Sequence, residues 1–142
     1  MNHPFKFVAL LVITATLASL PTQARESTAC YSVDAKRGWQ YINLTNSFSR
    51  VDSIRGKWTV DVVNFDRVGP EGYAQVEEYN GFNYDDTLPL GALLIGVPGS
   101  TYTWLSEPQQ LEQPVTNVAI RINDNDLALA DNFGSLRVCF SN

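Results

Sequence analysis

Oxygen donors crowd one short stretch of the chain. Between Asn123 and Gly134 stand Asp124, Asp126 and Asp131 with the amides of Asn123, Asn125 and Asn132, and no Lys or Arg falls between Arg121 and Arg137. Such a concentration of negative charge is costly unless a cation offsets it. Ca²⁺ suits the donor set, because it takes about six to eight oxygen ligands from carboxylates, amides and main-chain carbonyls in flexible geometry. The competing reading is that Asn and Asp serve turns, where their side chains satisfy neighbouring backbone groups. An EF-hand is excluded: counted from Asp124, Leu129 stands where that loop requires Gly, and Ser135 where it requires Glu.

Other chemistry is excluded by what is missing. The single histidine is His3, in the leader described below, so the rest of the chain has no imidazole base, no Ser-His-Asp or Cys-His catalysis and no His-ligated zinc. A net charge of −5 speaks against nucleic acid as a partner, since phosphate binding needs clustered Lys and Arg. Glu77-Glu78 and Asp85-Asp86 offer acids, and a glycosidase needs two carboxyls about 5 to 10 Å apart. Adjacent acids on a polar loop are ordinarily just solvated, and a small domain leaves little room for a deep cleft. The chain is therefore read as a binding protein and not an enzyme.

Those donors need a scaffold, and its pattern is β. Short segments rich in Val, Ile, Thr and aromatics alternate with Gly, Pro, Asn and Asp, as in an all-β sandwich or barrel. Strands are expected at Ala29 to Val33, Trp39 to Leu44, Val51 to Ile54, Gly56 to Val60, Ala92 to Val97, Thr101 to Leu105, Val118 to Ile122 and Ser135 to Phe140. In the last two, Val118, Ile120 and Ile122 oppose Ala119 and Arg121, and Leu136, Val138 and Phe140 oppose Arg137 and Cys139, so each is expected to bury one face. Asn64 to Pro89 reads as long surface loops, where binding residues tend to sit.

The first 24 residues read as a signal peptide: Lys6, an apolar run of 14 residues from Phe7 to Leu20, then Pro21 to Ala24. A retained anchor is the rival, but spanning a bilayer takes roughly 20 apolar residues, so no membrane span is expected. Residues 25–142 then form one domain of a secreted or periplasmic protein. In that setting Cys30 and Cys139 are most simply a disulfide, which would place the first and last strands side by side. Two separate buried thiols are the alternative, and the spacing lacks the Cys-x-x-Cys of a redox pair.

Gly56-Lys57-Trp58-Thr59-Val60-Asp61, Val68-Gly69-Pro70-Glu71-Gly72-Tyr73, Pro89-Leu90-Gly91-Ala92-Leu93-Leu94, and Arg121 to Asp126 with Asp131 to Leu136 follow in an order that resembles the PA-IL type bacterial galactophilic lectins and their galactose-binding-like relatives. The resemblance spans nearly all of residues 25–142. It implies an antiparallel jelly-roll β-sandwich holding one Ca²⁺ through Asp124, the carbonyl of Ala128, Asp131 and Asn132, with a further carbonyl from Asp61 or Val62. It also implies that vicinal hydroxyls of a galactose-like sugar complete the calcium shell while Asp124, Asp131 and Asn132 accept their hydrogen bonds. Asp131 replaces an amide of the type member and adds charge that favours the cation. The type member's sugar-touching histidine and glutamine have no match here, and Gln75, Glu77, Glu78 and Tyr79 occupy that region, so the resemblance does not fix which sugar is held.

Among the aromatics, Trp58 is expected in the core, Trp39 and Trp104 are left between core and sugar stacking, and Tyr73, Tyr79, Phe82 and Tyr84 are expected on an exposed rim. The sequence thus describes an exported, calcium-dependent carbohydrate-binding sandwich. The alternatives are an interaction domain of the same fold in which calcium only orders loops and, further off, a carboxylate glycosidase. A homo-oligomer is left open.

Overall fold

The computed structural model describes residues 27–74 and 77–142; the leader at 1–24 lies outside them. Six strands, β1 (Thr28–Asp34), β2 (Gln40–Thr59), β3 (Leu93–Gly96), β4 (Tyr102–Trp104), β5 (Gln109–Ile122) and β6 (Phe133–Ser141), pair only antiparallel, in the order β1-β6-β2-β5-β3-β4. Two short 3₁₀ turns, Glu77–Tyr79 and Leu129–Asp131, are the helical elements among the described residues. The all-β antiparallel sandwich expected from the pattern is the fold formed.

A single long strand joins the two layers. The first part of β2, Gln40 to Val51, pairs with β5, and its second part, Arg50 to Thr59, pairs with β6. Side chains of β5 (Val118, Ile120, Ile122) and of β6 (Leu136, Val138, Phe140) therefore enter the same core, with Phe48 and Phe140 rings 6.3 Å apart. Each such aliphatic side chain, fully withdrawn from water, contributes about 1.5 to 3 kcal/mol before entropy is counted. Trp58 is fully buried in that core, and its indole N–H donates to the carbonyl of Gly91 at 2.8 Å.

Three expected segments, Trp39 to Leu44, Val51 to Ile54 and Gly56 to Val60, belong to this one strand. Turn-forming Asn46 and Ser47 are absorbed by an irregularity: β2 carries the longer stretch between Asn43 and Phe48, and β5 carries the longer one between Gln110 and Val115. Pro114, which has no N–H for a ladder, sits in the latter. The polar first half of β5 lacked the apolar alternation that marks its second half, so only Val118 to Ile122 was legible.

β1 and β6 lie side by side in register, Cys30 opposite Cys139, and the two are joined by a disulfide with S–S 2.07 Å. Gly134, at φ +99°, lets β6 begin directly against β2: a Cβ there would collide with the main chain of Lys57. That close approach fixes where the preceding loop leaves the sheet.

Arg121 departs from its expected place. The second face of β5 is covered as well, and Arg121 is only 1% exposed. Its guanidinium lies 3.7 Å from the ring centre of Tyr84 and 5.7 Å from that of Trp39. Loop aromatics, invisible to strand periodicity, close that face.

Candidate metal centre

The segment between β5 and β6 emerges at one end of the sandwich, and most of its polar groups are spent on holding it. Asn123 is fully buried; its Nδ2 lies within 3.0 Å of the carbonyls of Asp85, Leu88 and Pro89, and its Oδ1 accepts the N–H of Asp85. Asn125 Oδ1 accepts from Leu127 N. Asp126 pairs with Arg121 at 2.8 Å. Asn125 thus serves a turn as the sequence reading allowed, whereas Asn123 and Asp126 are spent on the Asp85 to Pro89 loop and on Arg121.

Asp124, Asp131 and Asn132 are different. Asp124 is 2% exposed, and its Oδ1 accepts the N–H of Asn125 at 2.8 Å while Oδ2 has no hydrogen-bond partner. Asn132 is buried, its Nδ2 donates to the carbonyl of Ala35 at 2.9 Å, and its Oδ1 is likewise without a partner. The Ala35 carbonyl needs a donor, which fixes the amide's orientation and keeps the oxygen as the unsatisfied end. Two of the five partnerless buried polar atoms among the described residues thus come from one loop.

Burial pushes the Asp124 carboxyl up to about 6, only partly offset by the nearby Asn132 amide and the Asn125 N–H, and reinforced by the charge of Asp131. At about 1.4 kcal/mol per unit, a buried carboxylate so placed costs the folded state about 3 kcal/mol at neutral pH. A cation would remove that cost.

Asp61, Asp124, Ala128 and Asp131 line one open cleft of about 470 Å³, with Phe65, Glu78, Tyr79 and Phe82 among its walls. Asn132 does not line the cleft, but its amide is near enough to Asp124 to act on that carboxyl. Val62 sits outside it, at the rim, and its N–H donates to the carbonyl of Asp131 at 3.2 Å, tying the turn after β2 to the 3₁₀ turn before β6. Asp61 is committed to its own turn: the Asn64 amide and the N–H groups of Val63 and Asn64 bind its carboxylate and hold it below the usual range. Its main-chain oxygen already accepts from Thr59 Oγ1 and Phe65 N. No three acidic or thiol side chains gather into a single metal cluster among the described residues.

The chain covers nearly all of a solved lectin domain. That structure, described as "EclA N-terminal domain; PllA-like lectin", superposes with a TM-score of 0.53 at 18% identity over 80% of this chain and 95% of the other. At that identity the likeness is one of fold. No protein-family model and no curated protein matches the chain.

The rim differs from its sequence expectation. Phe82 is well exposed and Tyr79 half-buried, both on the cleft, and Glu78 joins them, whereas Gln75 lies outside the described residues. Tyr73 is a half-buried strut: its ring meets Phe65 at 5.0 Å and its hydroxyl donates to the carbonyl of Asp66 at 2.6 Å. Tyr84 stands elsewhere, beside Trp39 and Tyr102. Asp85 and Asp86 secure their own loop by accepting from Thr87 and Gly81 respectively.

Proposed function

We propose that the chain is an exported, calcium-dependent carbohydrate-binding protein without catalytic turnover. The observation that carries this reading is the buried, partnerless Asp124 Oδ2 at a cleft shared with Asp131 and Ala128. Ca²⁺ would be held by Asp124, Asp131, the Asn132 Oδ1 and the carbonyl of Ala128. Asp61 lines the cleft but its carbonyl already accepts from Phe65 N, and Val62 stands outside the cleft, so the fifth donor is left between these two main-chain oxygens. Two carboxylates neutralise one divalent ion.

The bound ion supplies a Lewis-acidic centre that vicinal hydroxyls can complete. The chain's own part is to hold that centre rigid and accept hydroxyl hydrogens on Asp124 and Asp131, while Tyr79 and Phe82 offer apolar wall to the C–H face of a sugar. The fold likeness to a domain described as a lectin supports carbohydrate binding as the use of this fold.

A second reading draws on the exposed Val63, Phe82 and Leu127, the last 96% exposed: the ion orders the loops and an apolar rim meets a protein. A glycan array probed with and without chelator separates the two. Calcium-dependent glycan signal supports the lectin reading; calcium binding with no glycan signal rejects it in favour of the interaction domain.

A further inference from the structure

Away from the cation cleft, strand register builds a second hollow. Tyr41 on β2 is opposite Ala119 on β5, Ala119 is opposite Gly96 on β3, and Gly96 is opposite Tyr102 on β4. Cross-strand neighbours share a face, so two minimal side chains form a floor between two tyrosines three strands apart. Trp39 and Tyr84 close one side and the turn Val97 to Ser100 the other, leaving about 240 Å³.

The aromatic walls pack against one another. Trp39 contacts Tyr84 at 5.8 Å and Tyr102 at 5.4 Å between ring centres, and Tyr84 contacts Tyr102 at 5.8 Å. The buried Arg121 guanidinium braces Tyr84 from beneath. Despite this ordering Tyr41 is 71% exposed, and Tyr84 and Tyr102 are each more than a third exposed. The Trp39–Tyr84 contact is edge-on and the other two are tilted; Arg121 covers one face of Tyr84, so the exposed Tyr41 ring is the surface most open to a ligand.

We propose that this cradle is a second, cation-independent site for one neutral pyranose ring of a glycan. The volume is below the ~300–1,000 Å³ typical of drug-sized ligands and suits a single ring. No charged side chain lines the hollow among the described residues. Ser100 and the tyrosines supply hydroxyls to the hollow itself, and beside it the Asp85 carboxylate accepts the Tyr102 hydroxyl at 3.0 Å, an acceptor for further hydroxyls that repels anions. A flat C–H face with hydroxyls at its edge is the chemistry that such a wall and acceptor recognise. A polyproline peptide also favours aromatic grooves, but it needs an elongated one.

The test uses the full exported chain in chelator, so that the cation cleft contributes nothing. Lactose, cellobiose and chitobiose are titrated to about 10 mM, as expected for a weak site, while the indole N–H resonance of Trp39 is followed. At least one sugar should shift it saturably, Tyr41→Ala should weaken binding about 3- to 10-fold, and Tyr41→Phe should restore it. Exposure of Tyr41 means that both variants keep the wild-type melting temperature. No shift with any of the three sugars overturns the proposal, as does a shift that appears only after calcium is returned or one produced by a polyproline peptide and by none of the sugars.

Discussion

Arg121 Nη2 donates to the main-chain oxygen of Asp124 at 2.7 Å, and the same nitrogen reaches Asp126 at 2.8 Å. One buried cation thereby fixes the backbone from which the Asp124 carboxylate projects. Its Nε also donates to the carbonyl of Ile122 at 3.0 Å, so the guanidinium clamps the whole exit from β5.

Replacing this clamp should be destabilising. Arg121→Met removes the donors and leaves the carbonyl of Asp124 short of its partner while Asp126 stays in water, a loss of about 1 to 3 kcal/mol. Urea denaturation of wild type and variant measures it. A change under about 1 kcal/mol would mean that the clamp is not structurally needed.

Asp124 should make the calcium-free protein more stable in mild acid. Its folded pKa, about 6, lies above the ordinary 3.8, so its contribution is fully present below about 4 and is lost as pH rises through 6. Melting in chelator at pH 5 and pH 7 reads this directly. Asp124→Asn, which cannot ionise, should flatten that part of the profile and raise stability at pH 7 by up to about 3 kcal/mol.

The disulfide closes nearly the whole domain, its cysteines standing 109 positions apart in the sequence. Removing it as Cys30→Ala with Cys139→Ala should cost about 4 to 5 kcal/mol under oxidising conditions. After full reduction the wild type should fall to the level of the double variant. Equal melting temperatures of the two under oxidising conditions would be the contrary result.

Gly134→Ala tests the start of β6. At φ +99° with the Lys57 main chain in the way of a Cβ, alanine should cost about 1 to 3 kcal/mol. It should also weaken calcium binding, because Asn132 and Asp131 immediately precede the bend. Unchanged stability by chemical denaturation would show that the backbone relaxes there freely.

The fold was largely legible because burial imposes period two. Leu136, Val138 and Phe140 read correctly as core, and two cysteines on end strands read correctly as a bond. Arg121 did not, since period two sees a strand and not the Trp39 and Tyr84 that a loop lays over it. Composition also could not sort the oxygen-rich loop. Asn123 and Asp126 carry the same donors as Asn132 and Asp124, and only the partners supplied from the Asp85 to Pro89 loop and from Arg121 set them apart. The cradle between Tyr41 and Tyr102 depends on register across four strands, which no single segment encodes.

If Asp124, Asp131 and Asn132 hold a cation, titration calorimetry of calcium into chelator-stripped protein will register it. One Ca²⁺ should bind per chain with an accompanying rise in melting temperature, and both should be lost in Asp124→Ala. No binding heat and no melting shift in the wild type, or an undiminished shift in Asp124→Ala, would contradict that site.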